Sequence, residues 1–142
     1  MSNTAWRYVI PYQPDYQAAL DALRAQTFQR GAYFQPWTER SQDHQFQPRT
    51  IEEALDRCGP EGSHSILDIV AFSLIPGPGL ACLVSQEELT RIYGTTTPTQ
   101  DDLRERRFAL VHTLEPGQAR ILIVYDRQRQ PVQLYLEGLS GR

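Results

Sequence analysis

The densest group of side chains able to do chemistry is Gly62-Ser63-His64-Ser65-Ile66-Leu67-Asp68. A hydroxyl, an imidazole and a carboxylate are the parts of a nucleophilic triad, in which the base must reach both the nucleophile and its own orienting group. Spacing decides whether they meet. In an extended segment neighbours point to opposite faces, so Ser63 and Ser65 turn away from His64. His64 and Asp68 share a face there but lie about 13 Å apart along the strand. A helical turn would join them, yet Gly59, Pro60 and Gly62 disfavour one. The expectation is a loop whose hydroxyls and imidazole satisfy backbone groups as the chain enters a sheet. His64 and Asp68 stand as the candidate catalytic pair of a small hydrolase only if other residues join them.

Together with an aromatic first segment and a C-terminal pair of apolar segments, this stretch resembles a family of small uncharacterised bacterial proteins carrying a Gly-Ser/Thr-His-Ser-Ile-Leu-Asp motif. The resemblance spans most of the chain and implies a fold but no activity. A looser resemblance concerns Arg7, Ser73 and Glu137, which follow the chain order of an ADP-ribosyltransferase. Phe72-Ser73-Leu74 stands in place of that family's Ser-Thr-Ser element, and Tyr135 stands where a Gln or Glu precedes the catalytic Glu by two. Arginine and glutamate on strands are more commonly solvated edge residues.

Other chemistries find little footing. All 14 basic residues are arginine, which removes Schiff-base and P-loop lysine mechanisms and points to a bacterial genome favouring arginine codons. Cys58 falls near a predicted helix C-terminus, where the dipole raises a thiol's pKa, so packing is its expected role. His44, His64 and His112 are scattered and no Cys-x-x-Cys occurs, so neither a metal nor a cofactor is expected. Arg104, Arg106 and Arg107 interleave with Asp101, Asp102 and Glu105, the pattern of a solvated helix face. With a net charge of -3, a nucleic-acid partner is not expected. No apolar run reaches the roughly 18 residues of a membrane span. The polar first residues lack a secretion signal, so a cytoplasmic protein with two thiols, Cys58 and Cys82, is the expectation.

Residues 31–49 carry no periodicity, and a connection this long is often a lid or binding loop. Tyr33, Trp37 and Arg40 are of the types that anchor protein interfaces and are the candidate binding residues. Trp37, between Pro36 and Thr38, has no place in a core pattern and is expected to face solvent; Phe34 and Phe46 are expected to seal the edge of the core.

The elements positioning these residues read as follows. Trp6, Tyr8, Ile10 and Tyr12 alternate as a strand with an aromatic face. Pro14 and Asp15 open a helix with the stripe Tyr16, Ala19, Leu20, Leu23 and Thr27, closed by Gly31. Thr50 and Glu53 form a capping box for a short helix ending at Gly59. Residues 66–75 are apolar enough for a buried strand, broken at Pro76-Gly77-Pro78-Gly79. Ser85 and Glu88 cap the next helix, which Gly94 ends, and Thr99 caps another; residues 108–111 fit either its last turn or a short strand. Residues 121–125 are apolar on both faces, as a central strand would be, and Ile123 is expected to be fully buried. Residues 126–130 form a polar turn into a strand with one wet face. At 142 residues and 40% hydrophobic content the chain makes one domain with a real core. The expected fold is α+β, two-layered, with a mostly antiparallel sheet of about four strands and helices on one face. The expected function is a non-catalytic module that binds another protein, immunity-like or adaptor-like, with the small enzyme as the alternative.

Overall fold

The computed structural model describes residues 4–39 and 46–141. Five strands form one sheet: β1 (Ala5–Pro11), β2 (Ala71–Ser73), β3 (Leu80–Leu83), β4 (Gln118–Tyr125) and β5 (Pro131–Leu139), in the order β1-β5-β4-β3-β2. β5 runs antiparallel to both β1 and β4, while β4, β3 and β2 are mutually parallel. The α+β class holds, but the sheet is mixed and has five strands rather than four. The correction has a local cause. β2 and β3 have three and four residues, too few for alternation to register. The apolar run 66–75 is not one strand either. Ile66–Asp68 is a 3-10 turn, which Ser65 caps by accepting from the Leu67 amide, and the chain becomes a strand only at Ala71.

Helices cover both faces, so the two-layer expectation is also corrected. On one face Ala19, Leu20 and Leu23 of α1 (Tyr16–Arg30) pack with Ile66, Ile69, Trp6, Ile121, Leu134 and Leu136. On the other, Leu89 and Tyr93 of α4 (Gln86–Tyr93), Leu103 of α5 (Gln100–Glu105) and Leu110 pack on Leu122, Val124 and Tyr135. Ile121 and Leu122 thus enter opposite cores, the period-two consequence of a strand buried on both sides. Fully burying each such aliphatic contributes about 1.5–3 kcal/mol. β4 is central as its sequence predicts, although Ile123 keeps partial exposure.

The end signals read from sequence hold. The Asp15 side chain accepts from Ala18 at the start of α1, and Gly31 closes it with φ 63°, the left-handed region that glycine enters without a Cβ penalty. Ser85 and Glu88 form a reciprocal capping box on α4, and Thr99 and Asp102 form one on α5. α3 (Ile51–Cys58) departs from the expected box: Thr50 accepts from the Glu53 amide, but Glu53 turns back to the Arg49 amide at 2.7 Å. Residues 108–111 are neither α-helix nor strand; Phe108 sits at φ 57° and Ala109–Thr113 is a 3-10 turn.

Candidate functional site

The Gly62–Asp68 loop closes on itself and on the last residues of the chain. The Asp68 carboxylate accepts from the Ser63 amide at 2.7 Å and from the Ser140 hydroxyl at 2.6 Å. Ser140 in turn accepts from the His64 amide at 2.9 Å. The Ser63 and Ser65 hydroxyls bond one another at 2.7 Å, and both residues are buried. The His64 ring stacks on Phe34 at 4.3 Å with the planes 11° apart. Gly62, at φ 73°, is required here, because a Cβ would lie 2.7 Å from both Asp68 Oδ2 and Ser140 Oγ. Among the described residues, the His64 imidazole makes no hydrogen bond to a serine or to Asp68. The motif therefore lacks the nucleophile–base contact that catalysis needs. A cavity of about 490 Å³ beside it is lined mainly by glycines and prolines, with Asp68 the one charged group among the described residues.

The ADP-ribosyltransferase order fares no better. Ser73, Cys82, Arg120, Glu137 and Arg7 lie in one row across the sheet. Three strand spacings separate Ser73 from Glu137, about 14 Å. Glu137 is fully buried, accepts from the Tyr135 hydroxyl at 2.5 Å, and its Oε2 has no hydrogen-bond partner among the described residues. Burial raises its pKa against the pull of Tyr135, of the Val111 and Leu110 amides and of Arg7. Its other register neighbour, Arg120, is committed to Glu88, with contacts of 2.6 and 2.8 Å, and to Thr113 and two carbonyls. That hydrogen bonding holds the Glu88 carboxyl down to about 2.

The residues nominated for binding are redistributed. Trp37 does not face solvent: it is 3% exposed, packed with Ala54 and Cys58 against Phe28, Tyr33 and Phe46. α2 (Pro36–Glu39) turns the indole onto α3, a contact no local period announces. Tyr33 is half-buried against Phe28 and Trp37. Arg40 and His44 lie outside the described residues. Leu74 and Ile75, on the loop after β2, are 74% and 71% exposed, and Val70, Val9 and Val132 are also exposed.

Sheet order leaves two edges of different character. At β2, the Gln17 carboxamide of α1 donates to the Val70 carbonyl at 3.3 Å and accepts from the Phe72 amide at 2.8 Å. It occupies the place of a neighbouring strand. At β1, Ser140 donates to the Thr4 carbonyl and Tyr12 to the Val132 carbonyl. The even-numbered residues therefore face β5, and the amides and carbonyls of Ala5, Arg7 and Val9 point outward. Among the described residues none of these groups has a partner. Alongside this edge, between β1, β5 and α5, runs a groove of about 420 Å³ whose lining includes Arg7, Val9, Gln133, Tyr135, Gln100 and Arg104. The alternation of Arg7 and Val9 with Trp6 and Tyr8 was the available signal for it; which strand would be outermost was not.

Among the described residues no three His, Cys, Asp or Glu side chains gather to hold a metal, and no helix is long and apolar enough to cross a membrane. No family model, curated protein or solved structure matches the chain.

Proposed function

We propose that the chain is a non-catalytic protein-binding module of the bacterial cytoplasm, immunity-like or adaptor-like, that takes an extended segment of its partner onto β1. One observation carries this reading: β2's edge is closed by Gln17, whereas β1 offers seven residues with an open outer edge. Natural proteins commonly cover or blunt such an edge because it templates strand pairing, and an edge kept open is a docking device when a partner supplies the missing strand. Exposure of Val9 at 48% on this edge supports contact with another protein. The alternative, a small enzyme around His64 and Asp68, draws no support from a carboxylate and serines already engaged in the loop's own hydrogen bonds.

The test is capture of partners from the native cytoplasm by the wild-type chain and by Val9→Pro. The proline removes one outward amide and leaves the β1–β5 hydrogen bonds intact. The expected result is one specific protein retained by the wild type and by Val9→Thr, and lost with Val9→Pro. A partner indifferent to the proline, or capture of a metabolite alone, would overturn the proposal.

A further inference from the structure

We infer that the strand added to β1 carries an acidic side chain opposite Arg7, seated in the groove between Arg7 and Arg104; this rests on the strand-addition reading above. In either sense of addition, the residue opposite Arg7 has its Cβ about 4.5–5.5 Å away and points to the same face of the sheet. That face is the one on which α5 lies and the groove opens. Arg7 also rests against the Phe108 ring, its guanidinium carbon 5.6 Å from the ring centroid. Arg104 lines the opposite wall, and its ion pair with Asp101 is largely exposed on both sides, the kind of pair that contributes little and yields readily. Among the described residues the groove wall includes no carboxylate. Gln100 and Gln133, bonded to each other at 2.5 Å, close one end with an amide pair that accommodates a carboxylate's remaining lone pairs.

The same charges argue against a second copy as occupant. β1 itself reads Ala-Trp-Arg-Tyr-Val-Ile-Pro and holds no acid, so self-pairing in any register places no carboxylate opposite Arg7, and the register centred on Arg7 sets two arginines against each other. An acidic extended peptide has the complementary charge and keeps the main-chain ladder.

The experiment selects binders from a random-peptide display library on the wild-type chain, and in parallel on Arg104→Glu and on Arg7→Glu/Arg104→Glu. Arg104→Glu stands on an exposed helix face and leaves the sheet untouched, so it reports even if the double variant folds poorly. Expected is an extended consensus with Asp or Glu at one fixed position, weakened about tenfold by Arg104→Glu, lost in high salt and replaced by Lys or Arg on the double variant. All such peptides should lose binding to Val9→Pro. Peptides sensitive to Val9→Pro but with no acid preference would overturn this inference and leave strand addition standing. Absence of any peptide sensitive to the proline would overturn both. A wild-type dimer that Val9→Pro converts to monomer would show that a second copy takes the edge, and would also overturn the inference.

Discussion

Ser140 donates a hydrogen bond to Asp68 at 2.6 Å across 72 residues of chain, tying the end of β5 to the loop before β2. The same carboxylate holds the Ser63 amide, so one side chain fixes two strands of contact. Asp68→Ala leaves the Ser63 amide without that acceptor, while the Ser140 hydroxyl keeps the Glu61 carbonyl at 3.1 Å. An unsatisfied donor costs about 1–3 kcal/mol, so a loss of that size is expected in urea unfolding. Ser140→Ala is expected to cost about half as much. Loss of a cellular phenotype with unchanged unfolding would instead return Asp68 to a functional role.

Gly62→Ala should be worse than its one added methyl suggests. The new Cβ would press on Asp68 and Ser140 at 2.7 Å, at a backbone angle of φ 73° that alanine resists. A destabilisation of about 3 kcal/mol or more is expected by the same measurement. A change within about 0.5 kcal/mol would mean that the loop relaxes freely and that its hydrogen-bond closure is unimportant.

Glu88 gives the fold its acid limit. Its side chain is 22% exposed, pairs bidentately with the buried Arg120 and is held near 2 from an ordinary value of 4.5. A carboxyl lowered in the fold lends stability that is present above its ordinary value and is lost as pH falls toward the lowered one. Glu88→Gln should therefore cost about 2–3 kcal/mol near neutral pH, with the difference from wild type closing below about pH 3. A pH-independent deficit would assign the loss to the helix cap rather than to charge.

Glu137 should act in the opposite sense. Burial raises its pKa, so the stability it lends is present below the ordinary carboxyl value and is lost as pH rises through the raised one. Glu137→Gln keeps an oxygen for the Tyr135 hydroxyl and removes the titration. Melting near pH 8 is expected to be unchanged or raised by the equivalent of about 1 kcal/mol, with a flatter approach from pH 5. A loss above about 2 kcal/mol at pH 8 would mean that the ionised carboxylate is held in place by Arg7 and the Leu110 and Val111 amides.

Those elements whose signals are local were legible before the fold was seen. α1 announces itself through Ala19, Leu20, Leu23 and Thr27 between Asp15 and Gly31, and the β4–β5 hairpin through a continuous apolar run and an alternating one about a polar turn. β2 and β3 were not, because three- and four-residue strands are defined by their neighbours. β3 pairs in parallel with β4 through the crossover by α4 and α5, whereas β2 reaches its parallel place beside β3 through the connection 74–79 alone. Helices on both faces follow from that crossover and not from any period in the helices themselves. The candidate docking edge is one step further removed. Gln17 closes β2 from 53–55 residues away, and β1 stays open only because β5 inserts between it and β4. His64 and Asp68 attracted notice for their types; their separation was argued for an extended strand, whereas His64 sits at φ 55° and Ile66–Asp68 is a 3-10 turn.

Trp37 shows the cost of reading an aperiodic segment as solvated. At 3% exposure it anchors a third cluster with Ala54 and Cys58, its ring edge-on to Phe46 at 5.1 Å and tilted against Tyr33 at 6.3 Å. Removing a buried aromatic costs its transfer free energy together with that of the cavity left behind, about 3–5 kcal/mol. Trp37→Ala is therefore expected to destabilise the chain by that amount. Trp6 is also buried, at 7% exposed, so total tryptophan emission should be blue-shifted and poorly quenched by iodide. Single-tryptophan variants separate the two: Trp6→Phe isolates Trp37, whose emission should stay blue-shifted and shielded. Red-shifted, readily quenched emission from that variant, with Trp37→Ala melting like wild type, would put the indole in water. Segment 33–46 would then rejoin the surfaces competing with β1 for a partner.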